Sequence, residues 1–169
     1  MATRKSMWVL FGILVISAWI LGSANQAGAE TLNFKAYHYT DKIERILAED
    51  VENHSLTLYT RRYFFIFENG EAATGIFSNL GDYIGNSGTV TSYGKITFAD
   101  GSTISLKREV KVVEGKTSET KGQITRGTGR FQGIKGTQEA KTKLLPPEKG
   151  EASQKGISEG NLTFTLPPK

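Results

Sequence analysis

The chain has 169 residues, a formal net charge of +4 and no cysteine. The missing cysteine excludes a disulfide framework, a thiol nucleophile and an acylated N-terminal anchor. The basic residues form no clustered face of the kind nucleic acid requires, so no nucleic-acid partner is expected.

Arg4 and Lys5 open the chain, an apolar run from Met7 to Leu21 follows, and a small-residue segment ends in Ala27-Gly28-Ala29. This is the layout of a cleavable secretory signal peptide. The apolar run is shorter than the roughly 20 residues a membrane-spanning helix needs. Residues 1–29 are therefore expected to be removed, with an uncleaved anchor as the alternative. The expected product is an exported protein, periplasmic or extracellular, with one domain over residues 30–169 and no stable membrane span. Loss of Arg4 and Lys5 lowers its net charge to +2.

Leu32 to Tyr39 alternates apolar and polar residues, as a strand with two unlike faces does. Thr40-Asp41 interrupts it, and Lys42 to Ala48 fits a helical turn or a strand. Glu49 to Asn53 is an acidic loop, and Leu56 to Thr60 alternates again. Tyr63-Phe64-Phe65-Ile66-Phe67 is continuously apolar, which predicts burial of both faces, in a barrel one in the lumen and one under a covering element or partner. Asn69-Gly70 is a hairpin signal, with Ala72 to Phe77 as the return strand. Asn79 to Gly88 holds three glycines and is expected to be a long ordered loop. Thr89–Phe98, Thr103–Val112 and Thr117–Thr125 are strands separated by Asp100-Gly101 and Glu114-Gly115. Thr137–Leu145 and Ile157–Leu166 are further strands, joined by a polar loop that begins at Pro146. Roughly eight strands with short turns and no long helix predict an all-β domain, a sandwich or a closed barrel.

The most unusual stretch is Gly127-Thr128-Gly129-Arg130-Phe131-Gln132-Gly133-Ile134-Lys135-Gly136. It lacks the Gly-Lys-Ser/Thr of a phosphate loop, and the strand and helix that flank a dinucleotide fingerprint are missing. No nucleotide or other cofactor is expected. Gly127, Gly129, Gly133 and Gly136 instead fit a tight barrel-closing turn, with Phe131 inserted as an apolar plug. The run Gly127 to Phe131, then Gly133, Gly136 and Ala140-Lys141-Thr142, resembles the late signature of the allene oxide cyclase and dirigent superfamily. Arg126 stands where that signature has its first glycine. The resemblance implies an eight-stranded antiparallel β-barrel whose lumen accepts a small apolar or aromatic molecule. It also implies a homo-oligomer, a trimer or a dimer. The activities it implies are an isomerase of the cyclase kind or a dirigent-like stereochemical guide.

No nucleophile elbow is present, and His38 and His54 are too isolated to make a metal site. His38 shares a face with Leu32, Phe34 and Ala36, so it is a catalytic candidate if that face lines the lumen. Glu109 and Glu119 lie on strands and become candidates if they point inward. Tyr37, Tyr63 and Tyr93 are ligand-lining candidates, each offering a ring and a hydroxyl. Lys107, Arg108 and Lys111 form a local basic cluster, expected to be a wet strand face. The first expectation is a non-catalytic barrel that binds a small molecule or its own copies; lumenal isomerase or guide chemistry is the alternative.

Overall fold

A computed structural model of the chain describes residues 28–146 and 154–168; the apolar leader and residues 147–153 lie outside the described residues. Eight strands run in chain order: β1 (Glu30–Leu47), β2 (His54–Phe67), β3 (Ala72–Ile84), β4 (Ser87–Phe98), β5 (Thr103–Val113), β6 (Thr117–Thr128), β7 (Lys135–Leu145) and β8 (Lys155–Thr165). Each pairs antiparallel with the next, and β8 returns to pair with β1, so the sheet closes. Closure removes the open edges that apolar strands such as β2 would otherwise expose.

Period-two alternation decides which residues enter the barrel. Along β2, Ser55, Thr57, Tyr59, Arg61, Phe65 and Phe67 are buried, while Leu58, Phe64 and Ile66 face outward. Of the Tyr63–Phe67 run the odd positions turn inward, while Phe64 is 49% exposed and Ile66 55%, so no element among the described residues covers their face. The expected long loop over Asn79–Gly88 is also wrong, because β3 and β4 run through it to a tight turn at Gly85-Asn86. Its glycines serve packing: a side chain on Gly88 would press on the Asp82 carbonyl and the Tyr83 ring. The segment from Lys42 is strand, displaced by a bulge between Thr40 and Lys42 that leaves Asp41 unpaired in the ladder.

The two ends of the barrel differ. At the end bearing the β2–β3, β4–β5 and β6–β7 connections, a column of rings fills the interior. Phe65 stacks on Phe67, Phe67 on Phe98, and Phe98 meets Phe131 at 4.8 Å between centroids. Phe131 lies in a single 3-10 turn, Gly129–Phe131, and is buried against Phe98 and Phe164. Gly129 has φ +61°, and a side chain there would collide with Ser102. Arg130 stays outside, paired with Glu71 at 2.6 Å and Asp100 at 3.5 Å and lying over the Phe98 and Phe131 rings. The glycine-rich stretch thus closes the apolar end, opposite the interior opening described below.

Candidate functional site

At the other end the interior is polar and partly open. A cavity of about 240 Å³ is lined by Thr40, Ile43 and Arg45 of β1 and by Thr57, Tyr59 and Arg61 of β2. Tyr83, Val112, Ser118 and Leu144 form the facing wall, and Gln154 stands at the rim. The bulge in β1 makes this possible, because it brings Ile43 and Arg45 round to the mouth. Among the described residues the lining contains two arginines and no carboxylate.

Arg61 is the floor. It pairs across the ladder with Thr40 and is only 6% exposed. One terminal nitrogen donates to the Gln154 side-chain oxygen, its guanidinium lies 4.9 Å from the Tyr59 ring centroid, and among the described residues its Nε has no partner. The backbone N–H of Thr40 donates to the Gln154 carbonyl at 2.9 Å, which ties Gln154 over this floor. On the wall, the hydroxyls of Tyr59 and Tyr83 are 3.3 Å apart. Burial pushes the Tyr59 phenol up, so it stays protonated.

Beneath the floor lies a buried polar layer. Arg108 is 4% exposed, stacks 3.4 Å from the Phe77 ring centroid and 5.1 Å from that of Tyr63, and donates to the Ser92 hydroxyl at 3.0 Å. No salt bridge reaches Arg61 or Arg108 among the described residues. Burial alone would raise the Tyr63 phenol, but the positive charges of Arg108 and Arg61 outweigh it and hold the group below its ordinary value. His38 is fully buried, packs 4.9 Å from Tyr63, and has no partner on either ring nitrogen. Burial first, and then the charges of Arg61 and Arg108, lower its pKa to about 3, so the imidazole is neutral. The Gln138 side-chain oxygen, also in this layer, is unpartnered as well.

The sequence-derived candidates divide by face. His38 and Tyr63 enter the interior, below the cavity. Glu109 and Glu119 lie on the exposed outer face of β5 and β6, so the condition that made them candidates is not met. Tyr37 and Tyr93 are also outside, 41% and 55% exposed. Their parity is opposite to that of the buried residues Ala36, His38 and Ser92. The expected wet face of Lys107, Arg108 and Lys111 needs correcting, since Arg108 is buried while Lys107 and Lys111 stay out. Arg61 and Arg108 were both detectable from alternation. Arg61 shares parity with Tyr59, Phe65 and Phe67, and Arg108 shares parity with Ile104, Leu106, Val110 and Val112. The second histidine, His54, bridges Asp50 at 2.5 Å and Asp82 at 2.9 Å near the same end, and those hydrogen bonds raise its pKa.

No family model and no curated protein matches the sequence. Among solved structures, the chain is similar to the pterocarpan synthase dirigent protein PsPTS1, with 15% identity over 83% of this chain and 97% of that one, and a TM-score of 0.46. It is similar also to the pterocarpan synthase dirigent protein GePTS1, with 12% identity over 83% of this chain and 93% of that one, and a TM-score of 0.48. The chain itself is a closed eight-stranded antiparallel barrel.

Proposed function

We propose that the protein is exported and binds a small molecule in the open end of its barrel, without catalytic machinery of its own. The observation that carries this reading is the contrast between the two ends. One is filled by stacked rings, while the other keeps a cavity of about 240 Å³ between apolar Val112 and Leu144 and the polar Arg61, Thr57 and Tyr59. A concave site with apolar walls and a few directed polar groups is the usual form of a ligand pocket. The test is calorimetric titration of the protein with 2-naphthoate and with 2-naphthamide. Saturable binding at one site per chain, abolished in a folded Val112→Trp variant that fills the cavity, supports the reading. Failure of both probes to bind overturns it.

A second role, self-association, is favoured by a different observation. The outer face of β1 to β3 carries Tyr37, Leu58, Phe64, Ile66, Ile76 and Leu80, each at least 40% exposed. Leu58 and Leu80 are direct ladder partners, so the apolar residues are contiguous across strands. Such a band is more than the scattered exposed apolar residues of an ordinary surface. A dirigent-like guide acting in the same lumen is the alternative to simple binding, with the paired Tyr59 and Tyr83 hydroxyls as its orienting groups.

A further inference from the structure

We infer that the lumen takes a small organic carboxylate, its anionic end held by Arg61 at the floor and drawn in past Arg45 at the mouth. This inference rests on the lumen-binding reading above and names the chemistry of its ligand. The charge distribution motivates it. Arg45 and Arg61 both line the cavity, no described acidic residue does, and Arg108 lies buried just beneath. A guanidinium stays protonated in a protein, so burial does not neutralise it. A buried charge without a counter-charge is strongly unfavourable, and barrels usually pair such groups or leave them out. Among the described residues Arg61 has neutral partners: Gln154 at one terminal nitrogen and the phenols nearby. Its Nε is unpartnered although it is 94% removed from solvent. The negative charge that the described lining lacks is the group the ligand supplies.

The geometry narrows the class. A planar guanidinium matches the two oxygens of a carboxylate and accepts them in parallel. The Tyr59 and Tyr83 hydroxyls, 3.3 Å apart on the wall, add neutral donors beside the anion. Val112, Leu144 and Ile43 offer apolar surface to the rest of the molecule, which a bare inorganic ion would leave unused. One internal rival exists. Tyr63, held below its ordinary pKa by the same two arginines, would supply the missing charge itself if it ionised.

The experiment compares 2-naphthoate with its neutral isostere 2-naphthamide by calorimetry on the wild-type protein, with inorganic phosphate as a third probe. The acid is expected to bind at least about tenfold more tightly than the amide, about 1.4 kcal/mol. Arg61→Gln is expected to erase that difference by weakening the acid far more than the amide. Arg45→Gln, at the exposed mouth, is expected to reduce acid binding about threefold and provides a readout if the floor variant does not fold. Equal binding of acid and amide, or equal losses of both in Arg61→Gln, overturns the inference while leaving the lumen reading intact. Displacement of naphthoate by equimolar phosphate overturns the organic carboxylate in favour of an inorganic oxyanion. A tyrosinate absorbance near neutral pH that disappears in Tyr63→Phe, without acid selectivity, overturns it in favour of the internal counter-ion. If neither naphthalene probe binds, the lumen reading falls with it.

Discussion

His38 gives the most quantitative prediction. Its folded-state pKa is about 3, against 6.5 for the free side chain. The group is fully buried, and the facing charges are Arg61 and Arg108, with Tyr63 packed on the ring. Above about pH 6.5 neither the folded nor the unfolded state carries the proton, and His38 contributes no pH dependence. Below that value the unfolded chain gains a proton that the folded chain refuses until about pH 3. Stability is therefore lost as pH falls through this window, by about 1.4 kcal/mol per pH unit. Between pH 7.5 and pH 4.5 the loss from this residue amounts to about 2.7 kcal/mol, two effective units below 6.5. The assay is urea unfolding of wild type and His38→Leu at both pH values, with the free energies extrapolated to water. Carboxylates whose pKa values are lowered by folding, such as Glu71 and Asp100, also lose stability towards acid, but equally in both proteins. His54, whose pKa is raised, works in the opposite direction and likewise cancels. The variant should be about 2–3 kcal/mol less sensitive to the pH step than wild type. At pH 7.5 it should be no less stable, since it removes two buried ring nitrogens without partners. Equal pH sensitivity in the two proteins would refute the buried, neutral imidazole.

Gly129→Val should cost about 2–4 kcal/mol of stability, because it places a branched side chain at φ +61° and against Ser102; denaturant unfolding measures it, and naphthoate affinity should not change in the folded fraction. Leu58→Glu combined with Leu80→Glu should convert an oligomer to monomer in sedimentation velocity without changing the circular dichroism, and a wild-type monomer at high concentration would remove the self-association reading. Expression with the full leader should yield an exported product beginning at Glu30 by intact mass; a product retaining residues 1–29 would favour the uncleaved anchor.

The barrel was legible in the sequence because its determinants are local. Alternation marked β1 and the start of β2, β-branched and aromatic content marked β4, and Asn69-Gly70 and Asp100-Gly101 marked the β2–β3 and β4–β5 turns where the backbone needs positive φ, as at Gly70 and Gly101. Glycine content misled at Asn79–Gly88, where Gly81 and Gly88 make room for the Tyr83 ring inside regular strands. Apolar content at Phe64 and Ile66 does not mark lumen positions, since both lie on the outer face of the barrel. The site was harder to read because charge and parity give opposite answers there. Arg108 sits between inward Leu106 and Val110 in strict alternation, yet its charge argues for water. Parity wins because Phe77 and Tyr63 offer their ring faces to its guanidinium and the Ser92 hydroxyl accepts its hydrogen bonds. Glu109, its neighbour, must then point out.

The same packing explains why the arginine at the floor suits recognition. Arg61 is held at one end by Gln154, which is tied to the Thr40 backbone, and along its plane by Tyr59. A surface arginine loses side-chain freedom when it binds an anion, and that ordering reduces the affinity it gains. Arg61 has already lost that freedom in folding, so an incoming carboxylate meets a guanidinium that is desolvated and positioned. The burial of two like charges is unfavourable and is offset by the ring column at the closed end, where Phe65, Phe67, Phe98 and Phe131 are nearly solvent-free. A bound carboxylate would relieve part of that strain, so it should stabilise the fold by more than an uncharged ligand of equal contact area. The thermal midpoint in saturating naphthoate should therefore exceed that in saturating naphthamide, and the excess should vanish in Arg61→Gln. An equal shift with both ligands would mean that Arg61 is neutralised from within the barrel.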